Sequence, residues 1–322
     1  MNNDEGKNLS LQIERIVSLF SEILNNDQVT SNDNFFDLGG DSFDAIRLTT
    51  KLNEKLQLIE IFENPTAEKL AKHLISGKRE NEIRIVSLNN EERNDARTVF
   101  VGVPYGGGEA TIFRNLFITN KTIKVYGVDF GDYHSEKIID FSIIVKKIVE
   151  QIRELETDKV VVYGHCAGAA TAACIASEIS KFNDVSLVIA ASVPIDNTDV
   201  AINMMETTSN EEWGEYLRSL GAFNGLTNPE IADMLIRGRR DHRLSIEAYK
   251  KLKQQPVKNI LTLLLLGDND SVTENIEDVV VKWSSYVDAL KTIVIHDGDH
   301  YFLRTHSREI EENIETYILN RQ

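Results

Sequence analysis

Cysteine, proline and positive charge are scarce in this chain of 322 residues, and each scarcity excludes something. Two cysteines, Cys166 and Cys174, do not make a disulfide framework. They fit a reducing compartment, so a cytoplasmic location is expected. Five prolines and 18 glycines exclude a fibrous or low-complexity chain. Lys and Arg number 35 against 51 Asp and Glu, a formal charge of −16 with a pI near 4.9. Such a chain repels phosphate backbones and anionic lipid, so neither nucleic acid nor membrane is expected as a partner. The apolar stretch Leu261 to Leu266, interrupted by Thr262, falls far short of the ~20 residues that span a bilayer. Met1 to Lys7 is polar and carries Asp4 and Glu5. It has no apolar core of a signal peptide, and residues 1–8 are expected as a disordered tail. No metal site is expected. What remains is a soluble globular composition, 42% hydrophobic and 27% charged, with length for about two domains.

The two domains differ in pattern. In residues 9–77, Ile13, Ile16, Val17, Phe20 and Leu24 recur at helical spacing. Gly39-Gly40 marks a turn, and a second helix follows Asp41-Ser42 with Ala45, Ile46, Leu48, Leu52 and Leu56. Pro65-Thr66 opens another, carrying Leu70, Leu74 and Ile75. This block reads as a small all-α bundle. Residues 78–97 are mostly charged and read as a linker, with Ile83, Ile85 and Val86 able to form an edge strand. From 98 to 322, short β-branched runs alternate with helical patterns. Strands are expected at 98–103, 123–128, 159–163, 185–191, 260–266 and 292–295, and helices near 139–155, 166–181, 274–288 and 306–319. That alternation predicts a mostly parallel sheet covered on both faces. Residues 195–257 break it with helical patterns alone, as a lid over a site does.

The most informative segment is Gly164-His165-Cys166-Ala167-Gly168, between the β-branched run Val160 to Val162 and a helix rich in alanine. Strand, Gly-x-Cys-x-Gly and helix make a nucleophile elbow with cysteine in place of serine. The helix N-terminus favours an anion there, and the Ala167 N–H is placed to meet an oxyanion. Cys174, two turns along the same helix, reads as core packing. An elbow needs an acid and then a histidine after later strands. Gly267-Asp268-Asn269-Asp270 and Asp297-Gly298-Asp299-His300 supply them. His300 is the expected base and Asp270 the expected acid, with Asp268 and then Asp196 as the other candidates. His296 is expected to point into the sheet or its edge. The loop Pro104-Tyr105-Gly106-Gly107-Gly108 is expected to give a second oxyanion donor, Gly106. Arg237 to Arg243 forms a basic cluster suited either to a phosphate or to a solvated helix face.

Taken in order, Pro-Tyr-Gly-Gly-Gly, Gly-His-Cys-Ala-Gly, Gly-Asp-Asn-Asp and Gly-Asp-His-Tyr-Phe-Leu resemble the thioesterases of nonribosomal peptide and polyketide synthesis. The resemblance covers residues 98–322 and implies an α/β-hydrolase domain with a helical lid. Two features depart from the common pattern: the cysteine nucleophile, and an acid placed as in stand-alone proofreading enzymes. Phe35-Phe36-Asp37-Leu38-Gly39-Gly40-Asp41-Ser42 and Phe62-Glu63-Asn64-Pro65-Thr66 resemble a peptidyl carrier protein. That resemblance implies 4′-phosphopantetheine covalently bound on Ser42. It also implies a phosphopantetheinyl transferase and upstream synthetase modules as partners, with acyl or peptidyl thioesters as substrates.

Together these readings predict a carrier–thioesterase didomain that moves an acyl or peptidyl chain from Ser42 to Cys166. Release would follow by hydrolysis, cyclisation or transfer to an amine. Tethering makes a weak docking surface sufficient, because it raises the effective concentration to roughly millimolar. A cysteine nucleophile makes the transfer a nearly isoenergetic thioester exchange. Three other readings share these residues: a proofreading thioesterase, a non-catalytic carrier-docking module, and a cysteine hydrolase unrelated to carriers.

Overall fold

The computed structural model describes residues 3–40, 42–52, 56, 58–76, 83–89, 93, 96–131, 140–224, 226 and 228–320. The chain divides into two compact units, Met1–Glu80 and Asn81–Gln322.

The first unit is helical. Helix α1 (Asn3–Leu24) buries Ile16 and Phe20, spaced i, i+4 on one face. It packs on α2 (Ser42–Leu52) and α4 (Ala67–Ser76). The core joins those two residues to Phe35, Ala45, Leu48, Leu52, Ile61 and Leu70. Burying each large side chain contributes about 1.5–3 kcal/mol. One expectation needs correction here. The helix begins at Asn3, so the described residues of the expected disordered tail, 3–8, are helical. Residues Leu58–Glu63 form a further short helix, α3, with Ile59 and Ile61 buried. Its pattern was hard to read because only six residues carry it, too few to show a period.

The second unit is a seven-stranded sheet in the order β1-β3-β2-β4-β5-β6-β7. Its strands are β1 (Arg84–Ser87), β2 (Thr98–Val103), β3 (Ile123–Asp129), β4 (Lys159–His165), β5 (Asp184–Ala190), β6 (Val257–Gly267) and β7 (Val287–Ile295). All neighbours pair in parallel except β1, which runs antiparallel to β3 with Ile85 opposite Val128. The edge strand suggested by Ile83, Ile85 and Val86 is therefore present. Arg93, just beyond it, donates to the carbonyls of Phe117, Ile118, Asn120 and Ile123. The described residues of 83–97 are thus built into the second unit rather than standing apart from it.

The continuous apolar run of β4 follows from burial on both faces. Val160 and Val162 point into one core with helices α5 (Phe141–Arg153), α6 (Gly168–Ile179) and α10 (Ile276–Trp283). Val161 and Tyr163 point into the other, with Phe113 and α11 (Ser307–Ile314). Between β5 and β6 lie α7 (Thr198–Thr207), α8 (Asn210–Ser219) and α9 (Asn228–Gln254), with no strand among the described residues.

Candidate active site

Cys166 follows the last residue of β4 and precedes α6, in a left-handed conformation at φ +49°. A non-glycine residue there costs on the order of 1–3 kcal/mol and persists only where the surroundings hold it. Two hydrogen bonds do so: Cys166 N–H donates to the Ala190 carbonyl at 2.8 Å, and Ala169 N–H donates to the Cys166 carbonyl at 3.1 Å. The flanking glycines are required by close approach. A Cβ on Gly164 would lie 2.6 Å from Ala169 Cα, and one on Gly168 would lie 2.4 Å from the Pro104 carbonyl oxygen. Cys166 is half-buried, whereas Cys174 is buried in the core below, as its spacing suggested.

His300 lies past the end of β7, and Asp270 past the end of β6. Nδ1 of His300 donates to Asp270 Oδ2 at 2.9 Å, with the two side chains 3% and 0% exposed. Val272 N–H and the Thr273 hydroxyl also donate to Asp270, at 2.9 and 3.1 Å. Burial pushes the Asp270 carboxyl up, but these donors and the imidazole outweigh it and hold the group below its ordinary range. Cys166 lies close enough to His300 for its charge to act on the imidazole, and with Nδ1 engaged by Asp270 the remaining ring nitrogen is Nε2. Burial works against the imidazolium; the negative charge of the sulfur and the Asp270 carboxylate prevail and lift His300 to about 10.

The other acids lie elsewhere. Asp268 takes a hydrogen bond from His296 Nδ1 at 2.7 Å. His296 is 83% exposed, contrary to the expectation that it points into the sheet or edge. The strand ends at Ile295, and Asp297 turns the chain outward at φ +55°. Asp196 pairs with Lys282 at 3.0 Å and is largely exposed.

Gly106 adjoins the elbow: a Cβ on it would sit 3.6 Å from Ala167 Cβ. In the same loop, Gly107 N–H donates to Asp241 Oδ2 at 2.9 Å and Gly108 N–H to the Tyr105 carbonyl at 2.8 Å. An apolar cluster surrounds this point. Tyr105, Leu217, Phe223, Met234 and Tyr301 form it, with Cys166 and Trp213 packed against it. Three of those seven residues, Leu217, Trp213 and Met234, come from α8 and α9. The hydroxyl of Tyr216, also on α8, is pushed up to about 12 by burial and by the charges of Cys166 and Asp270.

Three contributors escaped the sequence. His165 is fully buried; its Nε2–H donates to the His300 carbonyl at 2.8 Å, and the Tyr163 hydroxyl donates to its Nδ1 at 3.2 Å. Burial and the nearby His300 charge depress it to about 3, so it stays neutral. Arg304 donates to the Tyr105 hydroxyl at 2.8 and 3.1 Å and stacks on Tyr301 at 4.7 Å. Asp241 is the third. Three arginines of the basic cluster on α9 are engaged within the domain. Arg237 holds Glu109 and the Gly107 carbonyl, Arg239 the carbonyls of Met205 and Thr208, and Arg240 holds Asp241 and the Gly131 carbonyl.

In the first unit, α2 begins at Ser42, after a turn in which Gly40 N–H donates to the Phe35 carbonyl at 3.0 Å. A Cβ on Gly40 would lie 2.5 Å from the Phe35 ring. The Ser42 side chain and Asp41 lie outside the described residues. A serine opening a helix suits a phosphodiester, since main-chain N–H groups and the helix dipole favour an anion there.

Comparison with known proteins agrees with this division. Residues 14–74 match the phosphopantetheine attachment site family, and residues 97–318 match the thioesterase domain family. Bacitracin synthase 2 of Bacillus licheniformis is 38% identical over 64 residues, covering 19% of this chain and 2% of that protein. Indigoidine synthase of Streptomyces lavendulae is 27% identical over 173 residues, 49% of this chain and 13% of that protein. The chain thus spans a small fraction of the relatives it matches. Among solved structures, the type II thioesterase BorB from the borrelidin biosynthetic cluster is 19% identical with a TM-score of 0.55, over 72% of this chain and 96% of that one. The Vlm2 thioesterase domain, bound with a dodecadepsipeptide, is 21% identical with a TM-score of 0.52, over 72% and 96%. At such identity these structures establish the fold of the second unit, an α/β hydrolase with a mostly parallel sheet, and the helical carrier domain rests on the family match over residues 14–74.

Proposed function

The chain belongs to the thioesterase domain family and carries a phosphopantetheine attachment domain ahead of it, and on that premise we propose that it releases acyl or peptidyl chains through an acyl-Cys166 intermediate. The observation that carries this reading is one imidazole, His300, hydrogen-bonded to Asp270 and near enough to Cys166 for the two charges to act on each other. Ser42 is the residue proposed to hold the phosphopantetheine, which when bound presents the acyl group as a thioester. A phosphopantetheinyl transferase and synthetase modules are the partners this implies.

Cys166 Sγ attacks the carbonyl carbon of the thioester. The new C–S bond forms, the old one breaks, and the proton that His300 took from Cys166 goes to the departing sulfur. Asp270 holds the imidazole with Nε2 toward the cysteine and offsets its positive charge. An imidazolium beside the sulfur is the arrangement that makes a cysteine nucleophilic. The Ala167 and Gly106 N–H groups are proposed to receive the carbonyl oxygen as it becomes an anion. The second and third glycines of the loop donate elsewhere, which supports Gly106 for this role. In the second half, His300 removes a proton from water, a hydroxyl or an amine, and that nucleophile attacks acyl-Cys166. The helices α7 to α9 act as the lid, bringing an apolar lining to the acyl chain.

A second reading, proofreading of carriers loaded with wrong short acyl groups, is favoured by the position of the acid after β6 rather than β5. One experiment separates the two. The chain is loaded on its carrier with either acetyl or a peptidyl group, and release is timed by mass spectrometry. Faster release of peptidyl supports chain release; faster release of acetyl supports proofreading.

A further inference from the structure

Three consecutive glycines have almost no preference of their own for one loop shape, and ordering each costs more than ordering any other residue. Gly106-Gly107-Gly108 is nevertheless tightly held. Gly108 N–H donates to the Tyr105 carbonyl, and Gly107 sits at φ +78°. This is the pattern of a type II turn with Gly107 at its third position. What holds it comes from 130 residues further along the chain, on α9. Asp241, 4% exposed, accepts from Gly107 N–H at 2.9 Å. Arg237 Nε donates to the carbonyl of the same residue at 3.3 Å. Arg240 in turn fixes the other oxygen of Asp241 at 2.7 Å and reaches the Gly131 carbonyl at 2.7 Å. Gly107 also packs so closely on α9 that a Cβ would lie 2.4 Å from the Met234 carbonyl oxygen. A Cβ on Gly238, on the same helix, would lie 3.7 Å from the Gly106 carbonyl.

Both main-chain groups of Gly107 are therefore gripped by the lid helix, one residue from the proposed oxyanion donor. We propose that Asp241 is a positioning residue for the oxyanion loop: seating α9 orders Gly106 and Gly107, so the lid and the oxyanion hole assemble as one unit. A lid shifted off the loop would leave Cys166 and the His300–Asp270 pair in place and the oxyanion hole disordered. The inference rests on Cys166 as the nucleophile.

The test compares two reactions of Cys166. Acylation by p-nitrophenyl acetate develops an oxyanion; alkylation by iodoacetamide does not. In Asp241→Ala, the maximal acylation rate should fall ~10²–10³-fold, the loss typical of removing one oxyanion donor. Half-saturation should change less than about threefold, and alkylation of Cys166, followed by peptide mapping, less than about threefold. Asp241→Asn, which keeps an oxygen for Gly107, should recover most of the loss. Arg237→Met, which frees only the carbonyl side, should show a selective loss of about tenfold and serves if Asp241→Ala fails to fold. An unchanged acylation rate in Asp241→Ala or Arg237→Met overturns the proposal, as does an equal fall in both reactions. Acetyl found on a residue other than Cys166 in the parent overturns the nucleophile itself, and this inference with it.

Discussion

Asp270 Oδ2 and His300 Nδ1 meet at 2.9 Å with both side chains withdrawn from water, while Asp268, two residues earlier, reaches the exposed His296 instead. The distinction separates two acids that occupy the same turn. Asp270→Asn should leave His300 in the wrong tautomer and slow release by up to ~10⁴-fold, the size seen for a serine triad. The loss should be smaller here, because a thiol needs less help from a base than a hydroxyl does. Asp268→Asn should stay within about threefold of the parent. Steady-state release by the three proteins decides, and a larger loss in Asp268→Asn would reverse the assignment.

The two cysteines should differ sharply toward iodoacetamide at neutral pH. Cys166 is half-buried beside His300. Cys174 is 2% exposed, donates to the Ala248 carbonyl at 3.7 Å, and is pushed up to about 12 by burial. Peptide mapping should find Cys166 alkylated and Cys174 untouched while the fold is intact. Equal labelling would contradict the site geometry.

Two histidines should shape stability against pH from opposite sides. His165 is depressed in the fold to about 3 from an ordinary value of 6.5. The unfolded chain takes that proton first, so stability is lost as pH falls from 6.5 toward 3. His300 is raised to about 10. Its contribution is complete below about pH 6.5 and is lost as pH rises toward 10. His165→Gln should flatten the acid side of a Tm–pH curve, and His300→Gln the alkaline side. Curves parallel to that of the parent would contradict both shifts.

Much of this was legible in the sequence, for identifiable reasons. Strands with both faces buried read as unbroken β-branched runs, as in Val160 to Val162. The Gly-x-Cys-x-Gly turn is local, and the histidine and acid fall at strand ends, which a parallel sheet gathers on one edge. What could not be read depends on long-range contacts. Arg304 meets Tyr105 across 199 residues, and Asp241 meets Gly107 across 134. His165 was hidden inside the motif itself, because nothing local tells a buried structural histidine from a spectator. The basic cluster at 237–243 looked available for a phosphate. Three of its arginines, Arg237, Arg239 and Arg240, are engaged by carbonyls and side chains that the packed fold brings near.

Ser42 should accept one phosphopantetheine from coenzyme A and a phosphopantetheinyl transferase. Intact mass should rise by that group once, and Ser42→Ala should block the gain without changing the circular dichroism spectrum. Modification that persists in Ser42→Ala would remove Ser42 from the account.

The most direct test of the central claim follows the acyl group itself. The chain is loaded from an acyl coenzyme A, quenched in acid at intervals, and digested for mass spectrometry. The account predicts an acyl group on the Ser42 peptide first and on the Cys166 peptide next. It should stay on the carrier in Cys166→Ala and accumulate on Cys166 in His300→Ala, where nothing activates the incoming nucleophile. Release at the parent rate from Cys166→Ala, with no acyl mass on the Cys166 peptide of the parent, would contradict it.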